Sequence, residues 1–136
     1  MEEREYAAQL LEGGRQLVYL KSRFLKHTTP ETYNWVLTCL RDTVLVVPIV
    51  PETGRPDLME SEDGQKFVAV FSQPEQMPED YRSEFELRYM GLGEALELAK
   101  AQEEAVAIVL DGLTEPMTIT WQLGAAIMRR PSRIGK

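Results

Sequence analysis

The chain has 136 residues, 43% hydrophobic and 27% charged, which predicts one globular domain whose core needs no disulfide or metal. Its formal net charge of −7 argues against a general nucleic-acid binder, because nonspecific affinity for phosphates comes from lysine and arginine. The one cysteine, Cys39, fits a reducing compartment. No apolar run reaches the roughly 18 residues that span a bilayer, and the acidic N-terminus is unlike a signal peptide, so we expect a cytoplasmic protein.

Residues 3–26 predict a long amphipathic N-terminal helix. Leu10, Leu17 and Phe24 repeat at intervals of seven and lie on one apolar stripe. Gly13–Gly14 either bends this helix or divides it into two. We interpret the stripe as a candidate interaction face for a homodimer or another protein, with packing against its own domain as the alternative. On the first interpretation, Leu17→Glu breaks the contact and leaves the rest of the domain folded.

A second helix is predicted from Pro30 to Arg41. Thr29 is suited to the N-cap, Pro30 to the first helical position, and Glu31 to the positive end of the helix dipole. Its apolar positions form an inner face, which Trp35 and Cys39 are expected to widen on one flank.

Two strand-like runs follow, separated by a polar loop. Thr43–Val50 is almost continuously apolar, which is typical of a strand that is covered on both faces. Pro48 cannot donate to a ladder, so that end of the run is expected at an edge or a bulge. Residues 51–64 form an acidic loop, and Gln65–Phe71 is expected to return as the antiparallel partner of the first strand.

The second half of the chain alternates short strands with helices. The spacing predicts a capping box and turn at Ser72–Glu75, a strand at Phe85–Met90, a helix from Gly91 to Lys100, a buried strand at Ala105–Leu110, an edge strand at Met117–Thr120 and a helix at Trp121–Arg130. This order predicts an α+β fold, with packed helices on a small mixed β-sheet.

Three short motifs carry a family resemblance. They are Val44-Leu-Val-Val-Pro48, the Val-Phe-Ser run at Val70–Ser72, and the Gly-x-x-Glu-Ala-Leu helix start at Gly91–Leu96. With them, residues 33–128 resemble the SseB N-terminal domain family of bacterial proteins. Asp111–Gly112 departs from the Asn-Pro that the family often has, but both pairs form turns.

The resemblance implies an α+β fold with a mixed sheet. It implies no activity and no cofactor, because the family has no agreed reaction. On this basis we expect a single SseB-like domain over residues 1–136, with a helical extension at 1–29, the family core at 30–128 and a basic tail at 129–136. The N-terminal helix is longer than the resemblance implies.

The residues that commonly carry chemistry predict no catalytic or metal site. His27 is the only histidine and suits the end of the first helix, where a partly charged imidazole complements the dipole. Cys39 lies within a predicted helix and is interpreted as packed and inert. Gly91 and Gly93 lack the third glycine of a dinucleotide fingerprint, and no P-loop lysine follows them.

The acidic residues are interpreted in the same way. The group of four in the loop does not have calcium-loop spacing: Asp57, Glu60, Glu62 and Asp63. The pairs Glu79–Asp80 and Glu103–Glu104 are typical of solvated surfaces. The rest of the chain has 11 basic and 22 acidic residues, whereas the tail carries no acid and four basic residues: Arg129, Arg130, Arg133 and Lys136. We interpret it as a solubilising tail, with nucleic-acid binding as an alternative.

These observations favour a non-enzymatic interaction or regulatory module that binds another protein or a second copy of itself. The N-terminal stripe and the acidic loop are the candidate contact regions. The alternative is a small-molecule binder or an enzyme of unrecognised type, with its site at the loops that follow the strands. That site would be built around Ser72, Gly91–Gly93 and Asp111–Gly112.

Overall fold

The computed structural model describes residues 14–131. The helices are α1 (Arg15–Lys26), α2 (Pro30–Asp42), α3 (Glu79–Arg82), α4 (Leu92–Lys100) and α5 (Trp121–Met128). The strands are β1 (Leu45–Val50), β2 (Arg55–Pro56), β3 (Leu58–Glu60), β4 (Lys66–Val70), β5 (Glu86–Met90), β6 (Ala105–Leu110) and β7 (Met117–Thr120). The predicted α+β class is confirmed. In this part of the chain, no helix is both long and apolar enough to cross a membrane.

The strands form two small sheets rather than one. The first has the order β2-β1-β5 and is antiparallel, and the second has the order β3-β4-β6-β7. In the second sheet β4 and β6 are parallel, whereas β3 and β7 run antiparallel to their neighbours. The expected antiparallel pairing of β1 with β4 is reduced to one bridge, Val46 to Phe71, which joins the two sheets.

Pro48 lies where β1 changes neighbours on one side. Val46 exchanges main-chain hydrogen bonds with Phe71 on that side, and Ile49 pairs there with β2. Pro48 stands between these two contacts and uses only its carbonyl, which accepts from the Asp57 N–H at 3.0 Å. The missing N–H is therefore tolerated in a central strand, because no ladder bond is needed at this position.

Most of the core lies on one face of the four-stranded sheet, beneath the helices. Leu17 of α1, Leu40 of α2 and Ile127 of α5 are fully buried in one cluster with the strand residues Val68 and Ile108. A second, smaller apolar cluster contains residues of β1 and β4 that alternate with the main-core residues along their strands, together with two residues that follow β4: Val46, Ala69, Phe71 and Met77. The α1 helix therefore packs as part of the domain.

The long N-terminal helix is a prediction that the structure corrects. The described helix has 12 residues and begins at Arg15, and its N-cap Gly14 has a φ of 76°. A left-handed residue cannot continue a right-handed helix, so α1 starts at this glycine. Residues 1–13, including Leu10 and Gly13, lie outside the described residues.

The two predicted caps have different outcomes. At α2 the cap is confirmed, because the Thr29 hydroxyl accepts from the Thr32 N–H and the Thr32 hydroxyl accepts from the Thr29 N–H. The Ser72–Glu75 box is wrong in detail. A 3₁₀ turn does form at Pro74–Gln76, but its N-cap is Gln73 and no side chain caps it.

Candidate functional site

Ser72 and Asp111 meet at the carboxyl ends of the parallel strands β4 and β6. The Ser72 N–H donates to Asp111 Oδ1 and the Ser72 hydroxyl donates to Oδ2, both at 2.8 Å. The Asp111 N–H donates to the Val70 carbonyl at 2.9 Å, which fixes the loop after β6 against the end of β4. Asp111 has a φ of 55°, and aspartate tolerates this left-handed conformation better than most residues.

Lys21 of α1 contacts Asp111 and completes this cluster. Its ammonium nitrogen lies 3.3 Å from Asp111 Oδ2 and 3.6 Å from the carboxylate of Glu115. It also donates to the Glu115 main-chain carbonyl at 2.6 Å. Lys21 is 2% exposed, and Ser72 and Asp111 are fully buried. We call these three residues the buried polar cluster.

The buried polar cluster is saturated with hydrogen bonds. No buried side-chain nitrogen or oxygen between residues 14 and 131 lacks a partner. A hydroxyl, a carboxylate and an amine lie together, but solvent does not reach them, and each already serves another member of the cluster. Its evident effect is to attach α1 to the end of the four-stranded sheet.

The sequence prediction identified Ser72 and Asp111 but missed Lys21. The signal was present, because Lys21 follows Leu17 by four residues and precedes Phe24 by three, on the inner stripe of the helix. A lysine within an apolar stripe is expensive to bury unless an acid faces it. Gly93 does not join this cluster; a Cβ there would contact the side chain of Met128 of α5.

The outer surface of α1 carries exposed aromatic and basic side chains. Arg23 donates to the Tyr19 hydroxyl at 3.2 Å, and its guanidinium carbon lies 5.6 Å from the centre of the Trp35 ring. Tyr19 is 60% exposed and Trp35 is 38% exposed. Arg15 and Lys26 are also exposed, and helical spacing puts them on the side of Tyr19 and Arg23. We call these five residues the aromatic-basic face.

Trp35 had been expected to widen the inner face of α2, but half of that expectation is wrong. Cys39 is buried as predicted, whereas Trp35 turns outward to lie against Arg23. A tryptophan that remains exposed beside an arginine is characteristic of binding surfaces, where both residue types are enriched.

The comparison with protein families agrees with this architecture. The model of the SseB protein N-terminal domain matches residues 22–122. The chain belongs to the SseB N-terminal domain family. No curated protein and no solved structure matches it. The match begins inside α1, after Lys21. Arg15 and Tyr19 of the aromatic-basic face therefore lie before it, whereas Arg23, Lys26 and Trp35 lie within it.

The two described residues of the stripe predicted for this SseB domain lie in different environments. Leu17 is fully buried and packs against its own domain, which is the alternative that the sequence left open. Phe24 is half-buried and its ring lies 5.3 Å from that of Tyr33, beside a groove of about 300 Å³. Leu10 is not among the described residues, so the stripe as a whole stays a prediction.

The remaining candidates lie apart from one another. His27 is exposed at the end of α1, where its main-chain N–H donates to the Arg23 carbonyl. Cys39 is buried, 3.5 Å from the Thr43 hydroxyl. Between residues 14 and 131 no group of three histidine, cysteine or carboxylate side chains could hold a metal ion.

Two of the four acidic loop residues, Asp57 and Asp63, accept hydrogen bonds from separate groups. Asp63 accepts hydrogen bonds from the Ser61 hydroxyl and the Gln65 N–H, and the first of these chiefly lowers its pKa. Asp57 accepts from the Tyr81 hydroxyl at 2.7 Å. Burial, followed by this bond to the carboxylate, raises the pKa of Tyr81 well above its ordinary value.

Proposed function

We propose that the chain is a non-enzymatic interaction module that binds an acidic region of a partner protein through the aromatic-basic face. The observation that carries this proposal is the exposed Tyr19–Arg23–Trp35 group, in which one guanidinium contacts both aromatic side chains. Tyrosine, tryptophan and arginine are enriched among the residues that dominate the energy of protein interfaces. The two aromatic residues bury large areas with little loss of side-chain freedom, and arginine adds charge and hydrogen-bond donors.

The charge of α1 supports an acidic partner. The helix contains four basic residues and no acid: Arg15, Lys21, Arg23 and Lys26. Lys21 is paired internally, so three cations remain exposed on a chain whose formal net charge is −7. An acidic protein segment complements this surface locally, whereas the long phosphate backbone of a nucleic acid would also meet the acidic remainder of the chain.

The burial of the polar cluster supports a non-enzymatic role. Catalytic groups need access to a substrate, and Ser72, Asp111 and Lys21 have almost none. We place the protein in a bacterial cytoplasm. The SseB resemblance supports the source, and the single cysteine, which is buried, supports a reducing compartment.

The test is affinity recovery from the soluble extract of the source organism, with variants as baits. The unaltered chain is compared with Arg23→Glu and Trp35→Ala, and each bait is first shown to be folded by circular dichroism. We expect one polypeptide in near-stoichiometric amount with the unaltered chain and its loss with both variants. With the purified partner, calorimetry should then show at least about a tenfold weaker affinity for each variant.

Two matched controls separate this face from general charge and hydrophobicity. Arg55→Glu makes the same charge change at an exposed site on β2, and Leu113→Ala truncates another exposed apolar side chain. Both should retain the partner with unchanged affinity. The proposal is wrong if the partner binds Arg23→Glu and Trp35→Ala as well as it binds the controls, or if the retained material is nucleic acid and disappears after nuclease treatment.

A small-molecule site is the second candidate, and one observation favours it. A cavity of about 320 Å³ lies on the four-stranded sheet, where Met59, Phe67 and Val109 supply apolar walls. Gly112, one of the residues predicted for such a site, also lines it. Native mass spectrometry of the purified chain tests this candidate: a discrete added mass that Val109→Trp removes would support it, and a bare chain would count against it.

A further inference from the structure

β5 is an edge strand with a definite set of outward main-chain groups. Within residues 14–131 its one neighbour is β1, with Val46 opposite Tyr89 and Pro48 opposite Leu87. Val46 gives its own N–H and carbonyl to Phe71, on the far side of β1 from β5, and Pro48 directs its carbonyl to the same side. In an antiparallel pair the two residues opposite each other turn their main-chain groups either both inward or both outward. Leu87 and Tyr89 therefore direct theirs away from β1, toward the free edge.

We propose that this edge pairs antiparallel with β5 of a second copy, about a two-fold axis at Leu87. In this register Leu87 exchanges both main-chain hydrogen bonds with Leu87 of the second copy. The Tyr89 N–H donates to the Phe85 carbonyl of that copy. The Phe85 N–H is already bonded to the Arg82 carbonyl at 3.2 Å, so the ladder ends there.

The charges on β5 select this register. Glu86 and Arg88 flank Leu87, both are exposed, and neither forms an ion pair with another described residue. With the axis at Leu87, Glu86 of each copy lies opposite Arg88 of the other. An axis at Glu86 would put two glutamates directly opposite each other, and an axis at Arg88 would do the same with two arginines. Charged residues on an edge usually prevent pairing, but here their alternating signs permit one self-complementary arrangement.

The same register covers an exposed aromatic side chain. Tyr89 is 57% exposed, although it follows the half-buried Leu87 on the same face of the strand. It would lie opposite Phe85 of the second copy, whose ring already packs 4.8 Å from that of Tyr81. Aromatic pairs opposite each other stabilise antiparallel strands, so the contact adds apolar area to the main-chain bonds. The interface is small, and we expect a weak, reversible dimer.

Sedimentation equilibrium over a range of concentrations tests the proposal. The unaltered chain should show a concentration-dependent rise from the monomer mass toward the dimer mass. Glu86→Arg and Arg88→Glu should each weaken dimerisation by about tenfold or more, because each homodimer then contains two like-charged pairs. A monomer at every concentration of the unaltered chain would overturn the proposal.

A mixture of the two variants gives the decisive result. In a 1:1 mixture of Glu86→Arg and Arg88→Glu, both cross-strand pairs are again of opposite charge, so mixed dimers should form as readily as those of the unaltered chain. The double variant Glu86→Arg/Arg88→Glu should also dimerise normally. Glu79→Arg and Arg55→Glu make the same net charge changes away from β5 and should leave dimerisation unchanged. If the mixture stays monomeric, or if these controls fail equally, this interface is wrong.

Hydrogen exchange provides a second measurement that needs no variant. The amides of Leu87 and Tyr89 should become protected as concentration rises, while exposed amides of the acidic loop do not change. Protection independent of concentration, or none at all, would contradict the pairing. Because the aromatic-basic face lies on α1 and α2, Arg23→Glu should dimerise normally, and the failure of either proposal leaves the other standing.

Discussion

Lys21 is a charged side chain in the protein interior, and its effect on the stability of the fold depends on the groups that it contacts. Removing an ammonium and a carboxylate from water costs several kcal/mol each, and their attraction offsets this cost when hydrogen bonds complete the geometry. Here the Asp111 carboxylate also accepts from Ser72, and the ammonium also reaches Glu115. Such a cluster adds little net stability as a whole, but removing either charged member leaves the other charge buried without its partner.

Lys21→Met should therefore lower the free energy of unfolding by about 3 kcal/mol, because the buried Asp111 carboxylate would lose the ammonium that faces it. The measurement is urea denaturation at pH 7. The exposed Lys26→Met should change stability by less than about 0.5 kcal/mol. Lys21→Met/Asp111→Asn removes both charges and should recover part of the loss. If Lys21→Met is as mild as Lys26→Met, the ammonium is not held in this cluster.

Tyr81 contributes to the free energy of unfolding in a way that depends on pH, and the sign of this dependence follows from its raised pKa. The folded protein holds the phenol proton to a higher pH than the unfolded chain, whose tyrosines titrate near 10. The stabilisation by the Tyr81 phenol is therefore fully present below about pH 10. It decreases as pH rises further, because the unfolded chain then loses this proton at a pH at which the folded protein still holds it.

Tyr81→Phe should cost about 1–2 kcal/mol at pH 7, through the lost hydrogen bond to Asp57. The difference in stability between the unaltered chain and Tyr81→Phe should stay constant from pH 7 to 9 and narrow above pH 10. Urea denaturation of both proteins across this range measures it. A difference that widens with pH would show that the phenolate, not the phenol, is the bound form.

At the scale of elements, α1 begins where the chain passes very close to the end of β4. Gly14 has a positive φ, and a Cβ at this position would collide with the carbonyl oxygen of Ser72. Gly54 has nearly the same φ, 72°, but a Cβ there would meet nothing within 4 Å. The two glycines separate the cost of the left-handed conformation from the cost of close contact.

Gly54→Ala should cost about 1 kcal/mol, which is the strain of a left-handed alanine. Gly14→Ala should cost at least about 2 kcal/mol more, because the start of α1 would have to move away from Ser72. Thermal and urea denaturation of both variants measure the difference. Equal costs would mean that the N-terminus of α1 does not lie close enough to Ser72 for a Cβ at Gly14 to collide with it.

The order of elements could be predicted from the sequence because most are long enough to show a period. The β1 and β6 strands are nearly continuous apolar runs, and α2 has both a cap and a stripe. The two-residue β2, three-residue β3 and four-residue α3 are too short to give a pattern, and the acidic loop that contains the first two looked irregular. Strand pairing was also missed, because β1 finds its longest partner in β5, some 40 residues away, and local patterns do not encode such a contact.

The candidate site was predictable in part for similar reasons. The expectation that a ligand site would lie at the loops that follow the strands brought attention to Ser72 and Asp111. That expectation does not reveal which residue covers Ser72 and Asp111. In the structure it is Lys21, some 90 residues before Asp111 in the chain. The aromatic-basic face was missed because Trp35 was assigned to the core from helical spacing alone, which cannot distinguish the flank of a stripe from its centre.

At the scale of the whole molecule, the question is whether α1 is an appendage or part of the domain. Its inner side is connected to the rest by Leu17 in the main core and Lys21 in the buried polar cluster, and its N-cap by the approach of Gly14 to Ser72. The inner face of the helix is thus used by its own domain, and its outer face carries the exposed aromatic and basic side chains. One helix can serve both purposes because its two faces are independent in sequence.

Leu17 decides between the two views. If α1 were an appendage, Leu17→Glu would abolish a contact with a partner and leave the domain folded. Since Leu17 is fully buried in the main core, we expect Leu17→Ala to cost about 2–5 kcal/mol and Leu17→Glu to unfold the domain. Tyr19→Ala, two residues away on the exposed face, should cost less than about 0.5 kcal/mol. Circular dichroism and urea denaturation measure all three. A folded Leu17→Glu protein would mean that the core closes without α1, and the aromatic-basic face would then belong to a helix that can detach.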